Sequence, residues 1–342
     1  MCGIAILVLP CYNILNGSKR LRGKDTPFPA YLIPDFRFCV YGGFKEVSSM
    51  KKLLFIVNPV AGKTQPRGPL FDAVAVFSRA GYLVRIHTTT GRGDAAAVAK
   101  SSAADYDLVV CCGGDGTLNE TVSGLLQLDS PPPLGYIPRG STNDFASSLQ
   151  LSPDPIRAAE TIVSSRSQLL DIGLWNGRPF VYVASFGAFT RSSYSAPQPV
   201  KNVLGHLAYI LEGIKDLNTL RPYRMRITAD GEVLDGEYLF GAICNSTSIG
   251  GLMKLDPARV VLDDGRFEML LIPNPKTPAA LQSLLLALLN QEYDSEGLVF
   301  RHVSDVTVEP TEDLPWSLDG EYGPSAQQVT VHNQQGALRI LL

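Results

Sequence analysis

A chain of 342 residues with 45% hydrophobic and 18% charged side chains is long enough for two cored domains of ordinary size. Its net charge of −3 carries no basic excess, which argues against nucleic acid as the main partner and leaves room only for a local basic patch facing phosphates or a membrane. Six cysteines without any C-x-x-C spacing fit a reduced, cytoplasmic compartment; Gly3 to Pro10 makes a poor signal peptide, and Leu284 to Leu289 is too short to cross a bilayer.

Residues 1–49 mix Gly, Pro, aromatic and isolated basic residues without sustained periodicity. They read as an N-terminal extension, loosely ordered or non-native, with a small packed subdomain as the alternative and Met50 as a candidate natural start. From Leu53 the pattern alternates. Strand Leu53–Val57 runs into the turn Asn58-Pro59-Val60-Ala61-Gly62; a helix with Leu70, Val74 and Phe77 on one face stops at Gly81; strand Tyr82–His87 leads to the loop Thr88–Gly93. Asp94 is placed to cap an alanine-rich helix. The apolar run Leu108–Cys112 is a buried strand, its two cysteines acting as small hydrophobes, and Thr117 opens a helix with Leu118, Val122, Leu125 and Leu126 at helical spacing. After Pro131-Pro132-Pro133 comes the short strand Leu134–Ile137. Alternating strands and helices predict a parallel sheet whose ligand sits at the strands' carboxyl ends, where Asn58–Gly62, Thr88–Gly93, Gly113–Thr117 and Pro138–Asn143 all fall.

The texture changes past Asp154-Pro155. A helix to about Ser165 is followed by strands Gln168–Leu174 and Phe180–Ser185 about the turn Asn176-Gly177, then by an amphipathic helix through Val203, Leu207, Ile210, Leu211 and Ile214. Strands Tyr223–Thr228, Tyr238–Asn245, Arg259–Leu262 and Phe267–Ile272 alternate with turns at Asp230-Gly231 and Asp264-Gly265, a pattern of antiparallel hairpins. An apolar helix at about Pro278–Asn290 is either a core helix or a membrane-docking one. The expected division is an α/β domain over 50–165 and a mainly β domain over 166–342.

The chemistry centres on Leu108–Glu120, reading LVVCCGGDGTLNE. Strand, glycine turn and helix bring free backbone N–H groups and a positive helix end to one point, and glycine lets a phosphate approach the backbone. Two common fingerprints fail on spacing. For G-x-G-x-x-G from Gly114 and Gly116 the third glycine falls on Asn119; for a P-loop ending at Gly62-Lys63-Thr64 the first glycine falls on Val57. Asn58 and Gly62 can form a turn or contact a nucleotide; Thr89 and Thr90 can bond phosphate or cap a helix; in Gly140-Ser141-Thr142-Asn143-Asp144 the side chains of Ser141 and Asn143 could bond phosphate, ribose or base, while Asp144 could cap or pair. Asp263-Asp264-Gly265 is a solvated turn or, with backbone carbonyls, a Mg²⁺ site. Asp319-Gly320-Glu321 is an acidic turn or the source of a general base.

Together GGDGTLNE (Gly113–Glu120), VNPVAG (Val57–Gly62), IPRGSTNDFA (Ile137–Ala146) and the D-G-E triplet at Asp319–Glu321 resemble the diacylglycerol kinase catalytic family, in particular soluble bacterial lipid kinases. The resemblance implies a Rossmann-like α/β nucleotide domain followed by a β-sandwich-like domain, with the active site in the cleft between them. It implies ATP and Mg²⁺, transfer of the γ-phosphoryl group to a lipid hydroxyl, diacylglycerol first, and a cytoplasmic protein peripheral at the inner membrane surface. Another acceptor (a sphingoid base, another lipid or NAD), a non-catalytic nucleotide sensor and a homodimer stay open. Carried over by residue, Asn58, Pro59, Val60, Ala61, Gly62, Thr89, Gly113, Gly114, Asp115, Gly116, Thr117, Leu118, Asn119, Glu120, Ser141 and Asn143 would line the nucleotide. Ser141 stands where the family has threonine. Asp264, with the carbonyls of Val261 and Arg266, would hold a structural Mg²⁺, and Asp319 or Glu321 would be the catalytic base.

Overall fold

Buried on both faces, three apolar runs form the centre of a parallel sheet, which is why they read as near-continuous hydrophobic stretches rather than alternating ones. They are β1 (Lys51–Val57), β3 (Leu108–Gly113) and β4 (Leu134–Pro138), with β2 (Tyr82–Thr88) at the edge, and the spatial order is β4-β3-β1-β2 with every pairing parallel. Between them lie α1 (Pro69–Arg79), α2 (Asp94–Ser102) and α3 (Asp115–Leu125), and after them α4 (Asp144–Ser148) and α5 (Pro155–Ser164). Leu53, Phe55 and Val57 of β1 meet Phe77 of α1 and Ile162 of α5 on one face; Leu54 and Ile56 belong to the opposite core with α2 and α3. The chain leaves β1 for β2 on one side and returns to β3 on the other. This reversal puts the loops after β1 and β3 at the crevice where such sheets bind ligands.

The computed structural model describes residues 50–62, 69–188, 221–249, 253–295 and 297–342. The expected extension over 1–49, the pair Lys63-Thr64 and the amphipathic helix through Val203–Ile214 lie outside the described residues. The remaining elements are β5 (Ser167–Trp175), β6 (Arg178–Phe180), β7 (Val183–Gly187), β8 (Tyr223–Ala229), β9 (Glu232–Cys244), β10 (Ser248–Ile249), β11 (Met253–Lys254), β12 (Phe267–Pro273), α6 (Pro278–Leu289), β13 (Val299–Val303), β14 (Asp305–Pro310), β15 (Trp316–Leu318), β16 (Glu321–Gly323) and β17 (Val329–Leu341). They build a β-sandwich-like second half around an aromatic core in which Trp316 meets Trp175 and Phe186 edge to face. Within Ser48–Leu342, one compact unit, the two halves share a sheet: β17 pairs antiparallel with β14 and β5, and its Ile340 pairs parallel with Leu134 of β4.

Three local expectations change. The helix expected from Thr117 begins at Asp115, with Gly114 as its N-cap, so the glycine turn is shorter and Asp115 and Gly116 stand in the first helical turn. Asp94 does not cap α2. Gly93 does, at φ 84°, while the Asp94 carboxylate turns back to the Thr90 N–H and hydroxyl at 2.7 and 2.9 Å. Arg259–Leu262 is not a strand, because Asp256 caps a short turn of 3₁₀ helix at Pro257–Arg259. In α6, Leu281, Leu284, Leu285 and Leu288 are buried in the core, which makes it a core helix. No helix among the described residues is long and apolar enough to cross a membrane.

Candidate functional site

Four loops meet at the carboxyl ends of the parallel strands. Asn58 N–H bonds the Cys112 carbonyl at 2.9 Å, Thr89 N–H bonds the Val57 carbonyl at 2.9 Å, and Arg139 N–H bonds the Gly113 carbonyl at 2.7 Å. Their approach requires glycine: a Cβ on Gly140 would stand 2.6 Å from the Gly114 Cα, and one on Gly62 would stand 2.8 Å from the Arg139 carbonyl oxygen. No side chain caps the N-terminus of α3, so no side chain takes up its first N–H groups.

The side chains expected at this site divide into those that build the loops and those that face outward. Asn58 is spent locally: its Oδ1 accepts from Val60 N–H at 3.1 Å and its Nδ2 donates to Thr117 Oγ1 at 3.0 Å. Asn143, in the left-handed region at φ 53°, closes on Gly140, accepting from its N–H at 2.7 Å and donating to its carbonyl at 3.1 Å. Glu120 accepts from Gly93 N–H at 2.7 Å and so ties α3 to the loop after β2. Leu118 is buried in the core between α3 and α2. Pro59, Val60 and Ser141 are exposed, and Ala61, Gly62 and Thr89 half-buried, on the loop tips around the crevice. What Gly113, Gly114, Asp115 and Gly116 present to the site is backbone.

The D-G-E triplet crosses from the other half of the chain. Asp319 and Gly320 both have positive φ, 49° and 81°, and form the two-residue hairpin turn for which Asp-Gly is a favoured pair, with Leu318 paired to Glu321. The turn sends its two carboxylates to different tasks. Asp319 is buried, and its oxygens accept four bonds: Val181 N–H and Asn119 Nδ2 at 2.6 Å on one, Tyr182 and Val183 N–H at 3.0 Å on the other. Burial pushes its pKa up while these donors pull against it. Glu321 is a third exposed. A Cβ on Gly116 would lie 3.7 Å from its Oε1, while its Oε2 is bonded by Arg92 and lies 3.8 Å from Arg178 Nη2. The structure therefore brings Glu321 to the N-terminus of α3, 205 positions away in sequence from Gly116.

Beneath the glycine loop lies a carboxyl under strain of another kind. Asp115 Oδ2 accepts from Asp144 N–H at 3.2 Å, but its buried Oδ1 has no partner. Burial, then repulsion from Asp144 and Asp319, pushes Asp115 up to about 7 against the pull of the Asp144 and Phe145 N–H groups. Asp144 itself is buried and receives the Ser248 hydroxyl from the second half of the chain.

The turn at Asp263–Gly265 is fixed by the buried Asp171, which accepts Gly265 N–H at 2.6 Å and Gly336 N–H at 2.8 Å. Asp264 is exposed, with Oδ1 accepting the Arg266 N–H of its own turn at 2.9 Å. Among the described residues no three His, Cys, Asp or Glu side chains gather as a metal-binding group. The set expected here uses one side chain only: the Asp264 carboxylate with the carbonyls of Val261 and Arg266 is all-oxygen, the donor chemistry a hard cation such as Mg²⁺ takes. Asn245 joins this turn to the cleft. Its Nδ2 donates to the carbonyls of Asp171 and Leu262 at 3.0 and 3.1 Å, and its N–H bonds the Tyr182 carbonyl at 3.0 Å, in the segment that anchors Asp319.

Sequence reasoning missed Arg92 and Arg178. Their signal was available, a cation inside the loop after β2 and another directly after the Asn176-Gly177 turn, but nothing local says that both reach Glu321.

Residues 52–175 match the diacylglycerol kinase catalytic domain, and residues 185–342 match the YegS C-terminal NAD kinase beta sandwich-like domain. A diacylglycerol kinase of Bacillus subtilis is 36% identical over 276 residues, covering 80% of this chain and 91% of that protein. A Staphylococcus aureus diacylglycerol kinase is 32% identical over 274 residues, covering 80% and 87%. The fold is shared with a crystal structure of a diacylglycerol kinase from Bacillus anthracis, at a TM-score of 0.66 and 22% identity over 86% of this chain and 97% of that one. With a catalytic-domain match and a sandwich-domain match that together span most of its length, and relatives above 30% identity over nearly their whole length, the chain belongs to the diacylglycerol kinase family.

Proposed function

We propose that this chain is an ATP-dependent lipid kinase that phosphorylates diacylglycerol to phosphatidic acid at a membrane surface, peripherally and from the cytoplasmic side. The observation that carries the reading is the approach of Glu321 Oε1 to Gly116: a carboxylate oxygen stands beside the first turn of α3, next to the loops where Gly114 and Gly140 pack together. The backbone N–H groups of that helix end bind phosphate oxygens. The lipid hydroxyl oxygen attacks the γ-phosphorus, the bond from that phosphorus to the ADP oxygen breaks, and the hydroxyl proton passes to Glu321. Mg²⁺ bound with the nucleotide supplies charge neutralisation on the transferring group. Glu321 is the base rather than Asp319, because every side of the Asp319 carboxylate already meets a donor and none is left for a substrate proton.

The test is transfer of labelled phosphate from ATP to a panel of micellar lipids, with diacylglycerol first, a sphingoid base second and NAD as a soluble control. Label in phosphatidic acid is the expected result. Label in another acceptor changes the substrate, and ATP binding without transfer to any of them overturns the kinase reading.

Gly116→Ala separates fold from site. A methyl there meets only Glu321 Oε1, at 3.7 Å, so the fold accepts it. In the first turn of a helix Ala is if anything better than Gly, by up to ~1 kcal/mol. The same methyl enters the phosphate space, where overpacking costs about 1–3 kcal/mol. The expected result is an unchanged or raised melting temperature with weakened ATP binding; unchanged affinity would remove the phosphate role of this loop.

A further inference from the structure

We propose that Arg92 reads the terminal phosphate of the bound nucleoside triphosphate, and that it does so as the partner of Glu321. The inference rests on the reading of the site as a kinase centre and adds to it a residue that distinguishes a triphosphate from a diphosphate.

Arg92 lies on the loop between β2 and α2, and the backbone on either side of it is tied down. Thr89 N–H bonds the Val57 carbonyl at 2.9 Å, Thr90 is held twice by Asp94, and Gly93 N–H bonds Glu120 on α3 at 2.7 Å. The side chain itself is 74% exposed, and an ion pair so open to water adds little to stability. Its position has another use. The guanidinium bonds Glu321 Oε2 while Oε1 of the same carboxylate lies 3.7 Å from the position of a Cβ on Gly116, so base, arginine and helix end stand together. A phosphoryl group in transfer must touch both the N-terminus of α3 and the hydroxyl oxygen whose proton Glu321 takes. A guanidinium in contact with Glu321 is then within a hydrogen bond of that group's oxygens. Its five N–H donors allow it to keep the carboxylate and take a phosphate oxygen together, which a lysine ammonium does less well. The charge balance calls for such a group, because Asp115, Asp144 and Asp319 already place buried carboxyls behind the loop. Arg178 is the more distant of the two cations, its Nη2 3.8 Å from Glu321 Oε2 and its Nη1 donating to the Tyr322 carbonyl at 3.2 Å.

The experiment measures the dissociation constants of Mg²⁺ complexes of ADP and of the non-hydrolysable triphosphate AMP-PNP, by calorimetry, for the wild-type chain, Arg92→Ala and Arg92→Lys. Thermal melts confirm that the exposed substitutions leave the fold intact. The expected result is a loss of about tenfold in AMP-PNP affinity for Arg92→Ala with ADP affinity unchanged, and partial recovery in Arg92→Lys. Equal losses for both nucleotides would make Arg92 a support of the loop. No loss for either would make it a surface ion pair. Both results overturn the proposal while leaving the kinase site in place. A wild-type chain that binds neither nucleotide would instead overturn the reading of the site, and this inference with it.

Discussion

Glu321→Gln is expected to lower kcat by about 10²–10⁴-fold, the range for loss of a general base, with ATP affinity little changed. The amide keeps the shape of the side chain and still offers an oxygen towards Gly116, but it takes no proton. The companion variant Asp319→Asn is expected to fail differently. Its NH₂ would turn a donor towards backbone N–H groups or the Asn119 amide, all of which now donate to the carboxylate. Leaving such a buried contact unmatched costs on the order of 3 kcal/mol. Asp319→Asn should therefore melt well below wild type, whereas Glu321→Gln should melt with it. Steady-state kinetics with diacylglycerol micelles, read beside thermal melts of both variants, check the assignment. A fully active Glu321→Gln enzyme beside a stable but inactive Asp319→Asn one would reverse the two roles.

That division could not be read from the triplet alone. Asp319 and Glu321 flank Gly320 symmetrically, and neither hydropathy nor spacing says which carboxylate a hairpin turn will bury. The decision is made by residues 181–183, whose N–H groups point at Asp319 because of how β6 and β7 run. The parallel half was legible for the opposite reason. Uninterrupted apolar runs at Leu53–Val57 and Leu108–Cys112, the first followed by Asn58-Pro59 and the second by Gly113-Gly114, can be little else than buried strands feeding loops, and those loops do converge. Asn58 and Asn143 were legible as residues of the loops around the candidate site but not by the bonds they make there. Asn143 closes on its own loop and Asn58 on its own loop and on Thr117, uses of Asn that sequence cannot separate from ligand contact. Arg92 was visible as a loop cation but its pairing was not, since its partner is 229 positions away.

Asp115→Asn is expected to stabilise the protein at alkaline pH while impairing it as an enzyme. The Asp115 carboxyl titrates at about 7 in the fold against an ordinary value of 3.8, raised by burial and by the neighbouring Asp144 and Asp319. Below 3.8 folded and unfolded chains both hold the proton, and the group contributes nothing to the pH dependence. Between 3.8 and 7 the folded chain holds a proton that the unfolded chain has released, so stability falls as pH rises, by ~1.4 kcal/mol per unit. Above 7 the full penalty is present, up to about 4 kcal/mol. An asparagine cannot ionise and escapes it. The gain of Asp115→Asn over wild type should accordingly be larger at pH 8 than at pH 5, by roughly 3 kcal/mol, seen as a melting-temperature difference that widens with pH. The same stability difference at both pH values would mean that Asp115 does not carry this charge. A buried carboxyl with an unpartnered oxygen beside two others is the kind of perturbed group that functional sites gather. Kinetics of the same variant supply that half of the argument: a rise in stability together with a fall in kcat places Asp115 in the phosphate-transfer machinery, whereas full activity would leave the destabilising carboxyl without a function.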